Sequence, residues 1–375
     1  MRSAPLLLPV LAALAWGAPS AAPVEPAPDR ARAAAEAGIR YLLSIQNSDG
    51  SFGSHAQGSP YKIRAAVPGG TRAFHAASTS LALMALLAAP GEDPALLAAR
   101  SRAADWVVKH GRARRADGEE LYAVWALAYG LQAISRCLSA PPSDFDPGAA
   151  RAAAARMIES IVRYQTLDGG WTYYDFNAQT ARPSGDSMTF TSAAILIALH
   201  EARAAGLTVP APVIARGVRS LARCRTREGM YVYSYDWRMH PASGINRRPG
   251  SLTRTPACDL ALHLFDGGVS REAMLAGVEN LAAKAPFARM AYHRPVPHES
   301  WFAVSGYFYL FGYHYAGEVL KRLPGPVSPA LRDALIEEVL YTRHPDGSFW
   351  DYQLYGYHKV YGTAYAVTAL LAFIR

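Results

Sequence analysis

A short turn motif occurs three times in this chain, and its spacing constrains the fold more than any other feature. Each copy pairs Asp-Gly with an aromatic residue two positions after the glycine. The aspartates Asp49, Asp168 and Asp346 lie 119 and 178 residues apart. These intervals are close to two and three steps of about 59 residues, which predicts an internal repeat of six units. The residues expected to fasten the units together are Gln46, Asp49, Gly50, Phe52, Gln165, Asp168, Gly169, Trp171, Asp346, Gly347 and Phe349.

Each unit has the pattern of two helices joined by a loop. In the third unit, residues 149–164 carry apolar residues at helical spacing, and residues 187–205 are again helical and more apolar. The second helix of each unit is apolar nearly all round, as a helix buried on both sides requires. The chain ends in an apolar helix without a polar cap, which closure onto the first unit would cover. We therefore expect an all-α fold, a single α/α toroid of six hairpins over residues 31–375, with inner and outer helix layers.

Composition excludes some classes of partner. Hydrophobic residues make up 51% of the 375 residues and charged residues 18%, so the chain can bury a large core. The net charge of +8 comes from 38 basic and 30 acidic residues, a mild excess that predicts no nucleic-acid partner. The 21 Tyr, 7 Trp and 12 Phe residues suit cores, or pockets for a small apolar or glycan ligand.

The first thirty residues read as a signal peptide and linker. Arg2 is followed by an apolar run over residues 6–16 and by small residues over 17–22, so we expect export to the periplasm or outside the cell. The run is too short for a membrane span, and no comparable run follows, which predicts no stable membrane span. In an oxidising compartment Cys224 and Cys258 could form a bridge or stay free thiols, and both readings are open.

The turn motifs resemble those of a known superfamily. Gln165-x3-Gly169-x-Trp171 resembles the QW repeat of terpenoid cyclases. The Asp-Gly-aromatic turns and the count of six hairpins resemble the α/α toroid of terpenoid cyclases and protein prenyltransferases. The resemblance covers most of residues 31–375 and implies that fold, with a ligand in or over its central cavity.

The catalytic groups implied by this resemblance are missing from the sequence. Cyclases that protonate an alkene share an Asp-x-Asp-Asp segment, whereas the nearest segment here, residues 144–147, reads as a turn with a helix cap. The prenyltransferase zinc site needs Asp-x-Cys and a later His. In this chain Cys258-Asp259 is adjacent and reversed, and Gly362 occupies the His place. Neither activity is carried over to this protein.

Polar residues at the starts of the predicted inner helices should crowd around one mouth of the ring, where free backbone N–H groups also point. Two histidines with a nearby carboxylate suit acid–base chemistry or a metal ion. We assign no set of metal ligands, and the sequence identifies no cofactor. The candidate catalytic residues are His298, Glu299, His358 and Tyr361.

The candidate ligand-binding residues fall into two groups. Those at helix starts are His75, Asp186, Asp259 and Trp301, and those in the long loop 230–256 are Tyr235, Trp237, Arg247 and Arg248. The loop is long enough to act as a lid and basic enough to bind an anionic polymer. Three of the carboxylates have structural alternatives. Asp186 is placed to cap the third inner helix, while Asp259 and Glu299 sit in first helical turns, where carboxylates are favoured.

Three hypotheses about function follow. The first is an exported toroid that binds an unidentified ligand in or over its cavity without the catalytic groups of the superfamily. The second is a secreted lyase or hydrolase acting on an anionic glycan, since some polysaccharide lyases are built on similar toroids and abstract a proton with Tyr, His or Arg. The third is an isoprenoid cyclase or transferase, which ranks last because its signatures are absent.

Overall fold

The computed structural model describes residues 25–54, 70–113, 122–172, 186–292, 294, 298–352 and 356–375, apart from the side chains of residues 70–71 and 356–358. Of residues 1–30, which we read as signal peptide and linker, positions 1–24 lie outside this part and positions 27–30 are helical. The helices are α1 (Ala27–Ile45), α2 (Gly70–Ala88), α3 (Pro94–His110), α4 (Ala123–Ser139), α5 (Pro147–Arg163), α6 (Thr189–Ala204), α7 (Ala211–Arg223), α8 (Arg248–Ser251), α9 (Thr255–His263), α10 (Arg271–Ala283), α11 (Ala285–Arg289), α12 (Tyr309–Leu320), α13 (Pro329–Leu340) and α14 (Gly356–Phe373).

Six of these helices form a closed inner ring. In order around the ring they are α2, α4, α6, α9, α12 and α14, each packed on the next, and α14 packs on α2. The partners α1, α3, α5, α7, α10 and α13 form the outer layer. Closure joins the chain ends, since α1 packs on both α13 and α14, and Arg30 pairs with Glu337. The all-α toroid of six hairpins predicted from the sequence is confirmed.

The two layers differ in how they are buried and how they begin. Residues 189–199 of the inner helix α6 are buried without interruption. In the outer helix α7 the buried residues follow one face, at Val213, Ile214, Gly217, Ser220 and Leu221. Side-chain caps begin four outer helices, α3, α5, α10 and α13, whereas the outer helices α1 and α7 and the inner helices α4, α6, α9 and α12 have none. The cap expected in residues 144–147 is confirmed at Asp146.

The three repeated turns join neighbouring units by the same contacts. Each turn glycine has a positive φ, between 86° and 103°, and lies so close to a backbone carbonyl of another outer helix that a Cβ there would collide with it. The pairs are Gly50 with Arg102, Gly169 with Arg216, and Gly347 with Ala37. The third pair joins the sixth unit to the first, so it helps to close the ring.

The aromatic residue of each turn is fully buried and ties the turn to an inner helix. Its backbone N–H donates to a hydroxyl, and the pairs are Phe52 with Thr79 (3.0 Å), Trp171 with Ser192 (2.8 Å) and Phe349 with Thr363 (3.0 Å). The amides of Gln46 and Gln165 also reach the next outer helix, donating to Ala99 O at 3.0 Å and Val213 O at 2.8 Å. These residues hold hairpins together.

Three details differ from the sequence-based expectations, and one alternative left open there is decided. The fifth inner helix begins at Tyr309, so Glu299 and Trp301 precede it in a turn where Glu299 pairs with Val304. Asp259 lies in the second turn of α9, since that helix begins at Thr255. Asp186 does not cap α6, because Met188 is the N-cap residue and no side chain caps it. The cysteines are free and buried.

Among the described residues, no helix combines the length and the apolar character that crossing a membrane requires.

Candidate ligand site in the ring lumen

A polar and aromatic stripe runs down the lumen side of α4. Trp125, Tyr129, Gln132 and Arg136 are spaced by four, three and four residues, so they share one face over roughly 16 Å of helix. In the ring α4 lies between α2 and α6, and its contacts with α12 and α14 therefore cross the lumen. From the mouth to the base, side chains form four successive levels along the lumen, which define the site.

The mouth level is aromatic. The ring centroid of Phe190 on α6 lies 4.5 Å from that of Phe308, just before α12, and 6.1 Å from that of Trp125. Tyr233 lies 5.3 Å from Phe190 and covers it from the long loop. Trp125 stays partly exposed, so its ring remains open to solvent at this level.

The second level closes the lumen with rings from opposite sides. Phe311 on α12 lies 6.2 Å from Trp125 and 6.2 Å from Tyr365 on α14. Tyr129 and Tyr365 meet through their hydroxyl groups. Tyr361 continues the α14 side toward the mouth, 5.7 Å from Tyr365. The lumen of this ring is thus lined and bridged by aromatic side chains.

The third level, which we call the polar level, consists of Gln132, His314 and Tyr315. All three are at most 1% exposed. Both atoms of the Gln132 amide, Nε2 of His314 and the Tyr315 hydroxyl make no hydrogen bond to the described residues. The Tyr315 hydroxyl lies beside Gln132 and Tyr129 but not at hydrogen-bonding geometry. A buried polar group without a partner costs about 1–3 kcal/mol, so the polar level lowers the stability of the folded state.

The polar level carries no charge at neutral pH. Burial lowers the pKa of His314 to about 3 and raises the pKa of Tyr315 well above 10. Nδ1 of His314 lies 2.7 Å from the Thr368 hydroxyl, which itself donates to Ala364 O and Tyr365 O. Because that hydroxyl has one hydrogen, we assign the hydrogen of His314 to Nδ1. Nε2 is then an acceptor without a partner among the described residues.

The base of the lumen is an ion-pair network. Arg136 forms two hydrogen bonds with Glu201, both 2.9 Å, and also contacts Glu318 at 3.4 Å. Lys321 and Arg322 pair with Glu318 at 2.6 and 3.1 Å. Burial opposes ionisation of Glu318, but the charges of Arg136, Lys321 and Arg322 outweigh it and lower its pKa. The network closes the end of the ring opposite the mouth.

The rim of the mouth holds a buried cation. Arg254 is 2% exposed, and its guanidinium donates to Tyr231 O, Gly250 O and Ile245 O. Burial lowers its pKa to about 10, and the acceptors of these hydrogen bonds are all backbone carbonyls. The long loop is therefore fixed from within by Arg254 and is not a free lid.

Of the candidate catalytic residues, His298 lies at this rim. Its Nδ1 is 2.7 Å from Ser305 Oγ, and its ring is 5.9 Å from that of Tyr233. Desolvation and the charge of Arg254 lower its pKa below 6.5. Tyr361 lines the lumen, whereas Glu299 is held by backbone hydrogen bonds with Val304. The side chain of His358 lies outside the described residues, so a site shared by the two histidines stays a prediction.

Two of the candidate ligand-binding residues face the outer shell. His75 on α2 packs 5.1 Å from the ring of Trp106 on α3. Asp259 accepts a hydrogen bond of 2.7 Å from the Tyr231 hydroxyl and lies 3.7 Å from Arg225. Burial raises the pKa of Asp259 to about 7.

The remaining candidates lie together beside the mouth. Asp186 accepts a 2.9 Å hydrogen bond from the backbone of Asp236, which ties the loop to the start of α6. The Tyr235 hydroxyl accepts a 3.0 Å hydrogen bond from Arg223. Arg247 stacks 4.9 Å from the ring of Trp301. Trp237 and Arg248 are exposed on the same loop.

Sequence reasoning missed the deeper lumen residues. Trp125, Tyr129 and Gln132 have a signal in the sequence, namely their spacing on one helix face. Asp351 has none, since only the fold brings it to the start of α12, where it accepts a 2.8 Å hydrogen bond from Leu310 N. Burial raises the pKa of Asp351 to about 7. No group of His, Cys, Asp and Glu side chains in the described ranges is arranged to hold a metal ion.

Comparisons with known proteins bear on the fold. No family model and no curated protein matches this sequence. A D-mannose isomerase structure superimposes with a TM-score of 0.59 at 12% identity, over 93% of this chain and 99% of that chain. Cellobiose 2-epimerase from Spirochaeta thermophila gives 0.58 at 14% identity, over 92% and 97%. An Arg-to-Ala variant of type II terpene cyclase MstE from Scytonema, with its substrate geranylgeranyl dihydroxybenzoate, gives 0.50 at 14% identity, over 93% and 98%. This chain has a terpenoid cyclase-like α/α toroid fold.

Proposed function

We propose that this protein binds an amphiphilic small molecule in its lumen. The apolar body of the ligand lies on the aromatic side chains of the mouth and second levels. An uncharged end that both donates and accepts hydrogen bonds, such as a hydroxyl or an amide, reaches the polar level. The observation that carries the proposal is the change along the lumen, from the rings of Trp125 and Phe311 to the Gln132 amide and His314 Nε2, which have no partner among the described residues.

The energetics favour such a ligand over a uniformly apolar one. Each buried CH₂ group contributes about 0.8 kcal/mol on aromatic walls. A hydroxyl or amide end would also satisfy Gln132, His314 Nε2 and Tyr315, which lack partners. A carboxylate end would be desolvated at an uncharged level and is disfavoured. Since Phe311 and Tyr365 meet above this level, their rings must turn aside when the ligand enters.

We also propose that the protein is exported to the periplasm or outside the cell. The charged start, apolar run and small residues of the first 22 positions support it.

Titration calorimetry with three probes of equal chain length tests the binding proposal. We expect wild-type protein to bind 1-decanol about tenfold more tightly than its methyl ether, because the ether cannot donate, and to bind decanoate more weakly still. Trp125→Ala should weaken all three probes. Gln132→Leu should abolish the preference for the alcohol over the ether, while Tyr341→Ala, which removes an exposed ring far from the lumen, should change neither. Equal affinity of wild type for alcohol and ether, or no binding of either, refutes the proposal.

A second candidate is a lyase acting on an anionic glycan, and the rim supports it. His298 has a lowered pKa and lies beside Tyr233 and the buried cation of Arg254. A neutral imidazole there could accept a proton while a cation binds the uronate. Incubation with uronate polymers should then give an unsaturated product that absorbs in the ultraviolet, and His298→Ala should abolish it. Silence across a broad panel excludes this candidate.

A further inference from the structure

One part of the protein surface combines exposed apolar side chains with positive charge. We call it the rim surface and define it as residues 236–248 together with Trp301. Five large apolar side chains of the described residues are well exposed. Three of them, Trp237 (40%), Met239 (71%) and Trp301 (64%), belong to the rim surface. The other two, Leu167 and Tyr341, lie outside it. Such concentration of exposed apolar residues marks an interaction surface.

Hydrogen bonds hold the backbone of the rim surface in place, so its apolar side chains are exposed by the fold and not by a loose loop. The side chain of Asn246 accepts a 2.8 Å hydrogen bond from Tyr233 N and donates to Trp237 O and His240 O at 3.0 and 2.9 Å. The buried Arg254 holds Ile245 O. Tyr233 also packs on Phe190 in the mouth, so the rim surface is anchored beside the entrance to the lumen.

The charge of the rim surface is positive. Residues 236–248 carry three arginines, Arg238, Arg247 and Arg248, against one acid, Asp236. Both Arg247 and Arg248 are exposed. The carboxylate of Asp186 accepts from the backbone of Asp236, and no ion pair of the described residues neutralises these arginines. An anionic partner therefore fits this surface.

The aromatic geometry favours a lipid surface over a polysaccharide. Sugars bind on an open aromatic face, but Arg247 stacks on the Trp301 ring at 4.9 Å and Phe302 packs against it at 5.0 Å. Met239 offers no hydrogen bond to a sugar hydroxyl, whereas a thioether and an indole edge enter the headgroup region of a bilayer readily. Arginines beside them then pair with lipid phosphates.

We propose that the rim surface docks the protein onto a bilayer that contains anionic phospholipids. Trp237, Met239 and Trp301 insert at the headgroup level, and the arginines lie on the phosphates. The docked orientation turns the lumen mouth toward the lipid, from which an amphiphilic ligand could pass directly into the ring. This last step rests on the proposed function, while the docking itself does not.

Vesicle flotation tests the docking. Wild-type protein should float with vesicles of phosphatidylcholine containing phosphatidylglycerol, and should float poorly with phosphatidylcholine alone. Replacing Met239 and Trp301 together by Ser should lower the partition coefficient at least tenfold. The matched control, Leu167→Ser with Tyr341→Ser, removes equally exposed apolar groups elsewhere and should leave flotation unchanged. Arg247→Gln and Arg248→Gln should each lower binding about fivefold at low salt.

Three outcomes overturn the proposal. The first is that wild-type protein does not float with anionic vesicles. The second is that the rim and control variants lose vesicle binding equally. The third is that a uronate polymer displaces the bound protein from vesicles at a concentration where the polymer itself binds tightly. Unchanged melting temperatures of the exposed-site variants show that folding is intact. Because 1-decanol binding by the protein without vesicles does not need the Met239 side chain, the single variant Met239→Ser, assayed for both properties, separates failure of docking from failure of ligand binding.

Discussion

Two neighbouring levels of the lumen, about one helical turn apart, differ in whether their buried polar groups are paired. At the base, Arg136, Glu201 and Glu318 satisfy one another through three hydrogen bonds. At the polar level above, the amide of Gln132 and Nε2 of His314 have no partner among the described residues. Paired charges close the ring, and unpaired neutral groups remain available to something that enters it. The difference separates groups that serve the fold from groups that serve binding.

The largest effect should follow from breaking the base. Arg136→Met leaves the Glu201 carboxylate, whose side chain is 14% exposed, without its cation, while Glu318 keeps Lys321 and Arg322. Since an uncompensated buried charge is costly, we expect the free energy of unfolding to fall by about 3 kcal/mol, measured by urea denaturation. The double variant Arg136→Met with Glu201→Gln should recover part of that loss. A loss below about 0.5 kcal/mol would show that solvent screens the network and that the base does not hold the ring.

The second effect concerns acid stability of the polar level. Burial lowers the pKa of His314 to about 3, so between pH 5 and 7 the unfolded chain binds a proton that the folded protein does not. Protonation of His314 in the unfolded chain therefore favours unfolding, and the free energy of unfolding decreases as the pH falls through 6.5. Relative to His314→Phe, wild-type protein should lose about 2 kcal/mol between pH 7 and pH 5 in parallel denaturation curves.

Other buried titratable groups do not affect the comparison of wild type with His314→Phe. Asp259 and Asp351, whose pKa values are raised to about 7, change stability in the opposite direction over this window, but they do so equally in both proteins. The lowered pKa of Glu318 acts below the window, as the pH falls below its unfolded value of 4.5. Identical pH dependence of wild type and His314→Phe would mean that His314 reaches solvent and that the polar level is not enclosed.

The smallest effect on stability should come from Gln132→Leu. The substitution removes two unpartnered polar atoms from a buried position, so unfolding free energy should stay within about 1 kcal/mol of wild type or increase. Thermal and urea unfolding measure this. The same substitution in a residue that served the fold would cost several kcal/mol. A large loss for Gln132→Leu would therefore remove the contrast between the two levels, whatever the variant does to ligand binding.

Much of the fold was predictable because its signals are local. The first helix of the third unit was expected over residues 149–164 and is observed at Pro147–Arg163. The fifth inner helix shows where such signals fail. We expected Glu299 and Trp301 at its start, yet Ser300 and Ala303 adopt positive φ values of 63° and 51°, and the helix begins at Tyr309. Nothing in the residue pattern of this segment indicates these turns.

The candidate site was less predictable, because the sequence places residues along a helix but not around the ring. The rule that polar residues at inner-helix starts line the mouth located His298, but it also selected His75 and Asp259, which face outer helices. The stripe from Trp125 to Arg136 lies further along α4, beyond the reach of that rule. Which face of α4 meets α12 depends on how six hairpins close.

The sequence by itself determined the repeat, the alternation of amphipathic and fully apolar helices, and hence a ring, because these follow from turn spacing and from helical periodicity. Only the tertiary structure decided what the ring encloses. Rings on α4, α6, α12 and α14 meet across the lumen, although they lie up to 236 residues apart in the chain, as Tyr129 and Tyr365 do. Their order from aromatic to polar to ionic depends on the registry of non-neighbouring helices, and that registry is fixed by packing around the closed ring.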